Sequence, residues 1–457
     1  CTDYPTIAGI DCSKFPSDRK KIESAGGSKF YVSPTGNNSN KGTTPEKAFK
    51  SIGHALTRAK PKSVITVASG TYAEGDPDDY RALILDKNDI VLRAWEEAKV
   101  VVIPASDDIK YGIHIKANNL VIDGINLNGF TSSLVTLESQ IKNIVLKNMT
   151  IRGGESEFVD GIVVPDEKGM DGLLIRDVRV EKANLGISCN VGPCRNWWID
   201  NVTVIGTGAG DDTGSDGIAS EVRNENAPES EISSNWLLTN VEVTGASGDG
   251  IDMKAARVAV FNANVHDNSR NGVKFWRGGD LVNSFVVNHG ADAAIVFDRA
   301  GKYRILNSLI AYENFGTGPS YTMTVGYDLP GDPISLALIN SVFFKNSGSI
   351  YLSAGTTAAI QNCLIGNTDT DGLIEKGEVQ ITESDVPAEL SKLSKASGNL
   401  PFSSKPMFAN PPSDFTFGPD SPLVDAGTAP SQFPEFDFKG NPRNKGKAPD
   451  IGPLELF

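Results

Sequence analysis

An internal repeat is the feature that most constrains how this chain can fold. Short runs rich in β-branched residues carry an asparagine at a matching point, as in residues 237–243 and 259–265. The asparagines at positions 240, 262, 283 and 307 are 21 to 24 residues apart, and those at 340 and 362 repeat the spacing after a longer insertion. One repeat therefore corresponds to one coil of a solenoid. The frame is marked by Gly124, Asn148, Asp177, Asn201, Asn240, Asn262, Asn283, Asn307, Asn340 and Asn362.

A period of roughly 20 to 25 residues with short strands and turn-rich corners is typical of a parallel β-helix. Stacked asparagines at one corner would extend the hydrogen-bond ladder from coil to coil. A leucine-rich repeat has a similar period, but it requires leucines at fixed offsets, and these are missing. The predicted fold class is all-β, a right-handed, single-stranded parallel β-helix with a helical N-terminal cap and an irregular C-terminal extension.

The ends of the array lack the asparagine frame. A solenoid needs its open apolar ends covered. Residues 45–59 place Ala48, Phe49, Ile52, Ala55, Leu56 and Ala59 on one face, which predicts a capping helix. We expect an N-terminal extension over residues 1–30, the β-helix over residues 31–370, and a C-terminal extension over residues 371–457 that packs on the helix.

Composition narrows the ligand class. The formal net charge is −14, which argues against a nucleic-acid partner, because such proteins need a basic face. No stretch approaches the roughly 18 consecutive apolar residues of a membrane span. If the ligand is a polyanion, its site must be locally basic or bridged by a metal.

The cysteines favour an oxidising compartment. Cys189 and Cys194 flank a Gly-Pro loop that can close as a disulfide. Cys1 is either half of a disulfide with Cys12 or the lipid-modified first residue of a bacterial lipoprotein. Because the chain begins with Cys1 rather than Met, we expect a removed signal peptide, and hence a secreted protein or a cell-surface lipoprotein. Cys363 lies in an apolar run and is predicted to be a buried, unreactive residue.

The repeat turns sequence spacing into spatial proximity. Residues at the same frame position in successive coils stack about 4.8 Å apart. Adding nine to the frame asparagine gives Asp249, Asn271 and Asp292, and adding twelve gives Asp252, Lys274 and Ile295.

Strand alternation indicates that Asp252 and Lys274 face outward. Their neighbours Ile251 and Val273 are apolar, so they point inward, and Asp252 and Lys274 share the outer face. Asp216, in the preceding Asp-Gly-Ile triplet, matches Asp249. Three carboxylates and one lysine are thus predicted on one exposed strip.

Clustered carboxylate oxygens favour Ca²⁺, and the loop of residues 211–213 could supply further ligands. Zinc is disfavoured because the four histidines are scattered. A calcium ion beside a lysine lowers the lysine pKa, because a second positive charge disfavours the ammonium form. A neutral lysine amine is a usable base.

Three segments resemble, in order, the core motifs of the pectate lyases of polysaccharide lyase family nine: residues 216–219, 248–252 and 271–275. The resemblance implies that Asp216, Asp249 and Asp252 bind calcium and that Lys274 abstracts a proton. The second motif of the family usually has two adjacent acids, whereas Gly248 fills the first place here.

The resemblance implies calcium-dependent β-elimination on an acidic, uronate-containing polysaccharide. Arg270, Arg277 and Arg299 lie on or beside these coils and are candidates to hold flanking carboxylates, and Trp276 is a candidate to stack on a sugar ring. For each of these four residues, a structural or solvated surface role is an equal alternative.

Two other functions fit parts of the pattern. Residues 248–252 also resemble part of the polygalacturonase pattern, which would indicate hydrolysis by paired carboxyl groups. The other elements of that family are absent from the sequence. The second alternative is a non-catalytic surface β-helix that binds glycan or forms an extracellular assembly, which Gly248 and the C-terminal segment favour.

Overall fold

A computed structural model describes most of the chain. The described residues are 4, 6, 8–16, 27–75, 78–156, 158–206, 215–224, 226–290, 293–311, 321–346, 349–366, 372–376, 379–382, 395–400, 404–430, 432–443 and 445–456. The chain divides into two compact units. The first unit is Ser13–Ser234, and the second is Cys1–Cys12 with Asn235–Phe457.

The first unit is built from parallel strands whose inward side chains stack from coil to coil. Ile113, Val135, Ile162 and Ile187 are in register on successive strands, and each is at most 1% exposed. Such stacking buries apolar surface at every turn of the chain. The strands are β1 (Lys29–Val32), β2 (Val64–Val67), β3 (Gly70–Glu74), β4 (Arg81–Leu85), β5 (Val91–Ala94), β6 (Val100–Pro104), β7 (Tyr111–Ile115), β8 (Leu120–Asp123), β9 (Ile125–Phe130), β10 (Ser133–Leu137), β11 (Lys142–Gly153), β12 (Asp160–Val164), β13 (Asp171–Ala183), β14 (Leu185–Cys189), β15 (Arg195–Gly206) and β16 (Ile218–Ser220).

The second unit repeats this arrangement. Ile251, Val273, Ile295, Met323 and Ile350 are in register, and each is at most 2% exposed. The strands are β17 (Ser234–Thr244), at the boundary, β18 (Ile251–Phe261), β19 (Asn264–His266), β20 (Val273–Val282), β21 (Phe285–Val287), β22 (Ala293–Phe297), β23 (Gly301–Leu306), β24 (Leu309–Ala311), β25 (Tyr321–Val325), β26 (Ile334–Ile339), β27 (Val342–Phe344), β28 (Ser349–Leu352), β29 (Thr356–Gln361), β30 (Leu364–Gly366), β31 (Gly372–Lys376), β32 (Val379–Thr382), β33 (Lys395–Ser397), β34 (Phe408–Asn410) and β35 (Asp414–Phe417).

The expected helix over residues 45–59 is shorter in the structure. Pro45–Lys47 forms a single 3-10 turn, and the α-helix α1 spans only Ile52–Arg58. The chain is extended at Ala48 and Ser51, so the two elements are separate. The side chain of Ser51 accepts a hydrogen bond from the His54 N–H and caps α1. Two other 3-10 turns are Cys12–Lys14 and Glu229–Glu231.

The asparagine frame is confirmed as a corner of the coils. Six frame asparagines of the second unit have φ between 47° and 55°, a left-handed conformation that asparagine tolerates better than most residues. Asn262 donates to the Asn240 side chain at 3.1 Å, and Asn340 donates to that of Asn307 at 2.9 Å. The repeat is therefore both a turn signal and a side-chain ladder.

The C-terminal segment covers one side of the second unit. Phe415, Phe417, Leu423 and Ile451 form an apolar cluster with strand residues such as Leu309. Frame asparagines serve as anchors: the side chain of Asn340 donates to the Thr428 carbonyl at 2.7 Å, and that of Asn362 donates to the Ala426 carbonyl at 2.9 Å.

Two cysteine predictions are confirmed. Cys189 and Cys194 form a disulfide, and Cys363 is a buried free cysteine. Cys12 is disulfide-bonded, whereas Cys1 lies outside the described residues, so its lipidation or pairing stays a prediction. No helix in the described part of the chain has the length and apolarity of a membrane span.

Candidate active site

The candidate site lies on one stack of parallel strands in the second unit. This stack, the site sheet, contains the N-terminal part of β18, then β20, β22, β25 and β28. Asp252 on β18 is directly opposite Lys274 on β20, as the repeat predicts. Both side chains alternate with the buried residues Ile251 and Val273, so they share the outer face.

Two glycines allow the strands to approach at this corner. A Cβ on Gly250 would lie 2.8 Å from the Gly272 carbonyl oxygen, and a Cβ on Gly272 would lie 2.8 Å from the Ala294 carbonyl oxygen. Close packing of the coils thus requires glycine at positions 250 and 272. The same packing fixes where the neighbouring carboxylates and Lys274 are held.

Lys274 lies between two carboxylates. Its Nζ atom is 3.5 Å from Asp252 Oδ2 and 3.9 Å from Asp249 Oδ2. A second lysine, Lys254, lies closer still, with Nζ 3.2 Å from Asp252 Oδ2. Sequence reasoning missed Lys254, although its position two residues after Asp252 on the same strand places it on the same face. The site therefore has two lysines facing one carboxylate.

Asp249 is held by the next coil. Its Oδ1 accepts hydrogen bonds from the backbone N–H of Asn271 at 2.9 Å and from the side-chain amide of Asn271 at 2.8 Å. Burial raises the pKa of Asp249, and the neighbouring Asp252 carboxylate raises it further, while Lys274 and the Asn271 bond oppose the increase. Two buried acids that repel each other are stabilised by a nearby positive charge.

Asp252 has the property expected of a cation ligand. It is only 3% exposed, and its Oδ1 atom has no hydrogen-bond partner among the described residues. A buried carboxylate oxygen without a partner is costly, because it has lost its water. The donor set of Asp252 and Asp249, hard carboxylate oxygens, fits Ca²⁺.

Trp276 is covered by cations. The Arg299 guanidinium lies 4.9 Å from the centre of the indole, and the Nζ atoms of Lys254 and Lys274 lie 5.5 and 5.8 Å from it. The indole therefore makes cation–π contacts with three basic side chains. Trp276 is only 6% exposed. Its role in stacking on a sugar ring stays a prediction.

The two remaining arginines lie beside the site. Arg270 precedes Asn271, and its positive charge lowers the pKa of the Asp249 carboxyl. Arg277 lies on β20, where it pairs with Ala256 of β18. Both side chains are partly exposed. Their roles as partners for substrate carboxylates stay predictions.

Asp216 belongs to the first unit, so its placement beside Asp249 stays a prediction. It is 7% exposed, and its carbonyl accepts a hydrogen bond from the Gly186 N–H at 3.0 Å. Asp160, which sequence reasoning missed, carries the same Asp-Gly-Ile signal and pairs with Leu185. The coil that contains Leu185 separates Asp160 from Asp216, so they are about 10 Å apart, beyond shared metal coordination.

Other parts of the prediction fall outside the description or shift by one residue. Residues 211–213 and Asp292 lie outside the described residues. Lys274 pairs with Val296, and Ile295 pairs with Val273, so the predicted alignment of Lys274 with Ile295 is wrong by one position. The coil that ends at β22 is one residue longer than the asparagine frame indicates.

Known proteins resemble this chain mainly in structure. No protein-family model matches the sequence. The uncharacterized protein YwoF of Bacillus subtilis (strain 168) is 28% identical over an alignment of 221 positions that covers 44% of this chain and 46% of that protein, so the match spans about half of its length. The pectate lyase Pel9A aligns over 99% of both chains with 13% identity and a TM-score of 0.50. In fold, this chain resembles a pectate lyase.

The complex of XylC with xylose gives a TM-score of 0.52 at 11% identity, over 94% of this chain and 98% of that one. The likeness confirms the parallel β-helix that the repeat predicts. At such identities it concerns the fold alone. The chemistry of this pectate lyase-like chain therefore rests on its own side chains.

Proposed function

We propose that this chain is a calcium-dependent polysaccharide lyase that cleaves a uronate-containing, pectate-like polymer by β-elimination. One observation carries the proposal: Lys274 lies within 3.9 Å of two buried carboxylates, and one of these, Asp252, has an oxygen to which no described residue donates a hydrogen bond. A lysine base beside a cation site is the pair of groups that elimination at a uronate requires.

In this mechanism the neutral amine of Lys274 removes the hydrogen on C5 of the uronate, the ring carbon that bears the carboxylate. The electron pair of the C–H bond forms a double bond between C4 and C5, and the bond from C4 to the glycosidic oxygen breaks. The departing oxygen takes a proton from solvent. Asp249 and Asp252 orient Lys274 through the contacts described above.

Asp216, Asp249 and Asp252 are the residues proposed to hold Ca²⁺. When bound, the ion neutralises the uronate carboxylate and so acidifies the neighbouring hydrogen. Gly248 stands where the second motif of the pectate lyases usually has an acid, and Lys254 adds a positive charge 3.2 Å from Asp252. Both changes predict weaker calcium binding than in a site with four carboxylates, because affinity follows ligand charge.

The basic side chains around Trp276 complete the proposed substrate site. Arg299 lies over the indole, Arg270 is close enough to Asp249 to lower the pKa of that carboxyl, and Arg277 lies on the same strand as Lys274. They would pair with carboxylates of flanking sugars, since a guanidinium binds a carboxylate through two hydrogen bonds. The partner is then an acidic polysaccharide, and the proposed location is secreted or on the cell surface, with Cys1 as a candidate lipid anchor.

The test uses the two lysines as a matched pair. Uronate polymers with added calcium are screened for the ultraviolet absorbance of an unsaturated uronate. Lys274→Ala should lower kcat by about 10²- to 10⁴-fold, the usual contribution of a general base. Lys254→Ala should lower it by about tenfold or less, as expected for loss of one partly exposed ion pair.

Each alternative has its own result. A severe loss of kcat in Lys254→Ala with a mild loss of kcat in Lys274→Ala would indicate that Lys254, and not Lys274, is the base. Cleavage that persists in a chelator would exclude the calcium role. The second candidate function, non-catalytic glycan binding, is favoured by Gly248. It would be supported if the chain binds a uronate polymer without producing unsaturated ends.

A further inference from the structure

Three tyrosines cluster on the site sheet and its following turn. Tyr321 on β25, Tyr351 on β28 and Tyr327, just after β25, have ring centroids 5.2 to 5.7 Å apart, with tilted or edge-on geometry. Tyr327 is 51% exposed, and the other two are partly exposed. Tyrosines that served only to fill the core would be buried. This tyrosine cluster therefore forms an aromatic patch on the surface.

The strand register relates the tyrosine cluster to the candidate base. Lys274 on β20 pairs with Val296, Val296 pairs with Thr324, and Thr324 pairs with Tyr351. By strand register, Tyr351 is therefore the equivalent of Lys274, three strands further along the same face. At the ordinary strand spacing the separation is about 14 Å. A sugar unit in a polysaccharide is about as long as one strand spacing, so three strands correspond to about three sugars.

The chemistry of the cluster differs from that around Lys274. The face of an aromatic ring is electron-rich, and it attracts the weakly positive C–H groups on the face of a pyranose. The phenol hydroxyls can also form hydrogen bonds with sugar hydroxyls. Tyr327 is followed by the exposed Asp328, whose negative charge would repel a uronate carboxylate. The patch therefore suits a sugar recognised by its ring face rather than by its carboxylate.

We propose that the tyrosine cluster is a distal sugar-binding subsite that holds the polymer about three units from the bond broken at Lys274. The inference rests on the proposed polysaccharide substrate, and it extends the site along the sheet. A polymer would occupy the proton-abstraction site and the tyrosine cluster together. A short oligosaccharide bound at Lys274 would not reach the tyrosines.

The test compares a long polymer with a short oligosaccharide of the same sugars. Tyr327→Ala and Tyr351→Ala should each raise KM for the polymer by about three- to tenfold, the usual worth of an aromatic contact. The kcat for the polymer and both constants for the oligosaccharide should stay unchanged. Phe436→Ala is the control, because Phe436 is equally exposed, at 52%, but lies in the C-terminal segment. Unfolding curves confirm that each variant is folded.

The outcomes separate this inference from the proposed function. If Lys274→Ala abolishes cleavage but neither tyrosine variant changes KM, the subsite is wrong and the lyase stands. If no polymer is cleaved, retardation of the same polymers in native gels decides: the subsite requires that the tyrosine variants bind more weakly than Phe436→Ala. Equal binding by all variants, or no binding at all, would overturn it.

Discussion

A buried ion pair in the second unit offers a quantitative test of how the N-terminal segment is held. Arg304 donates to Asp280 Oδ1 at 2.7 Å, and the two side chains are only 4% and 0% exposed. The other oxygen of Asp280 accepts hydrogen bonds from the Thr6 hydroxyl and from the Ala8 N–H. One carboxylate therefore joins the coils to residues near the N-terminus.

Asp280→Asn keeps the side-chain shape but removes the negative charge to which the buried Arg304 guanidinium donates. Breaking one partner of such a pair costs about 3 kcal/mol. For a unit of this size each 1 kcal/mol shifts Tm by about 2 to 4 °C, so the expected loss is roughly 6 to 12 °C. The measurement is thermal unfolding by circular dichroism, combined with limited proteolysis of the N-terminal segment.

A double variant separates charge from tethering. Asp280→Leu with Arg304→Met removes both charges and should recover most of the lost Tm, because an apolar pair replaces a buried ion pair at little cost. The N-terminal segment of the double variant should be more protease-sensitive than that of the original chain, since Thr6 and Ala8 lose their acceptor. A Tm for Asp280→Asn within 2 °C of that of the original chain, or a double variant as unstable as the single one, would refute this reasoning.

Three further expectations follow from buried groups. Glu74 accepts the N–H groups of Ile52 and Gly53 at the start of α1, so Glu74→Ala should lower stability by about 1 to 2 kcal/mol in chemical unfolding, whereas the exposed Glu46→Ala should not. Burial lowers the pKa of His289 to about 4, so the unfolded state takes up this proton first as pH falls. Stability due to His289 is therefore lost between about pH 6.5 and pH 4, by roughly 3 kcal/mol, and His289→Gln should flatten that dependence in urea titrations. Saturating Ca²⁺, at about 100 times its Kd, should stabilise the chain by about 3 kcal/mol in thermal melts, and Asp252→Asn should reduce the shift; an equal shift in that variant would place calcium elsewhere.

Local sequence periodicity was sufficient to predict the fold and the central contact of the site. The asparagine frame works because the corner requires a left-handed residue in every coil, so Asn240 and Asn262 mark equal turns of chain. Equal turns then place Asp252 beside Lys274. Where a coil is longer, as between β20 and β22, the same counting misplaces Ile295 by one residue.

Side-chain burial could not be read from the same pattern. Alternation places Trp276 on the outer face. It does not predict that Arg299 and two lysines cover the indole and leave Trp276 only 6% exposed. Lys254 was equally visible by alternation, yet its contact with Asp252 depends on a rotamer that sequence spacing does not specify. The predicted helix over residues 45–59 is too long because the apolar spacing continues across Ala48, where the backbone has an extended conformation.

The most direct test of the central claim is to digest the preferred polymer in water labelled with oxygen-18 and to weigh the products by mass spectrometry. Elimination at Lys274 breaks the bond from C4 to oxygen without adding water, so the account predicts unsaturated products that contain no label introduced by cleavage. Exchange at the new reducing ends is subtracted with products made in ordinary water and then kept in labelled water for the same time. Saturated products that carry one labelled oxygen per cut would show hydrolysis and would contradict the lyase mechanism.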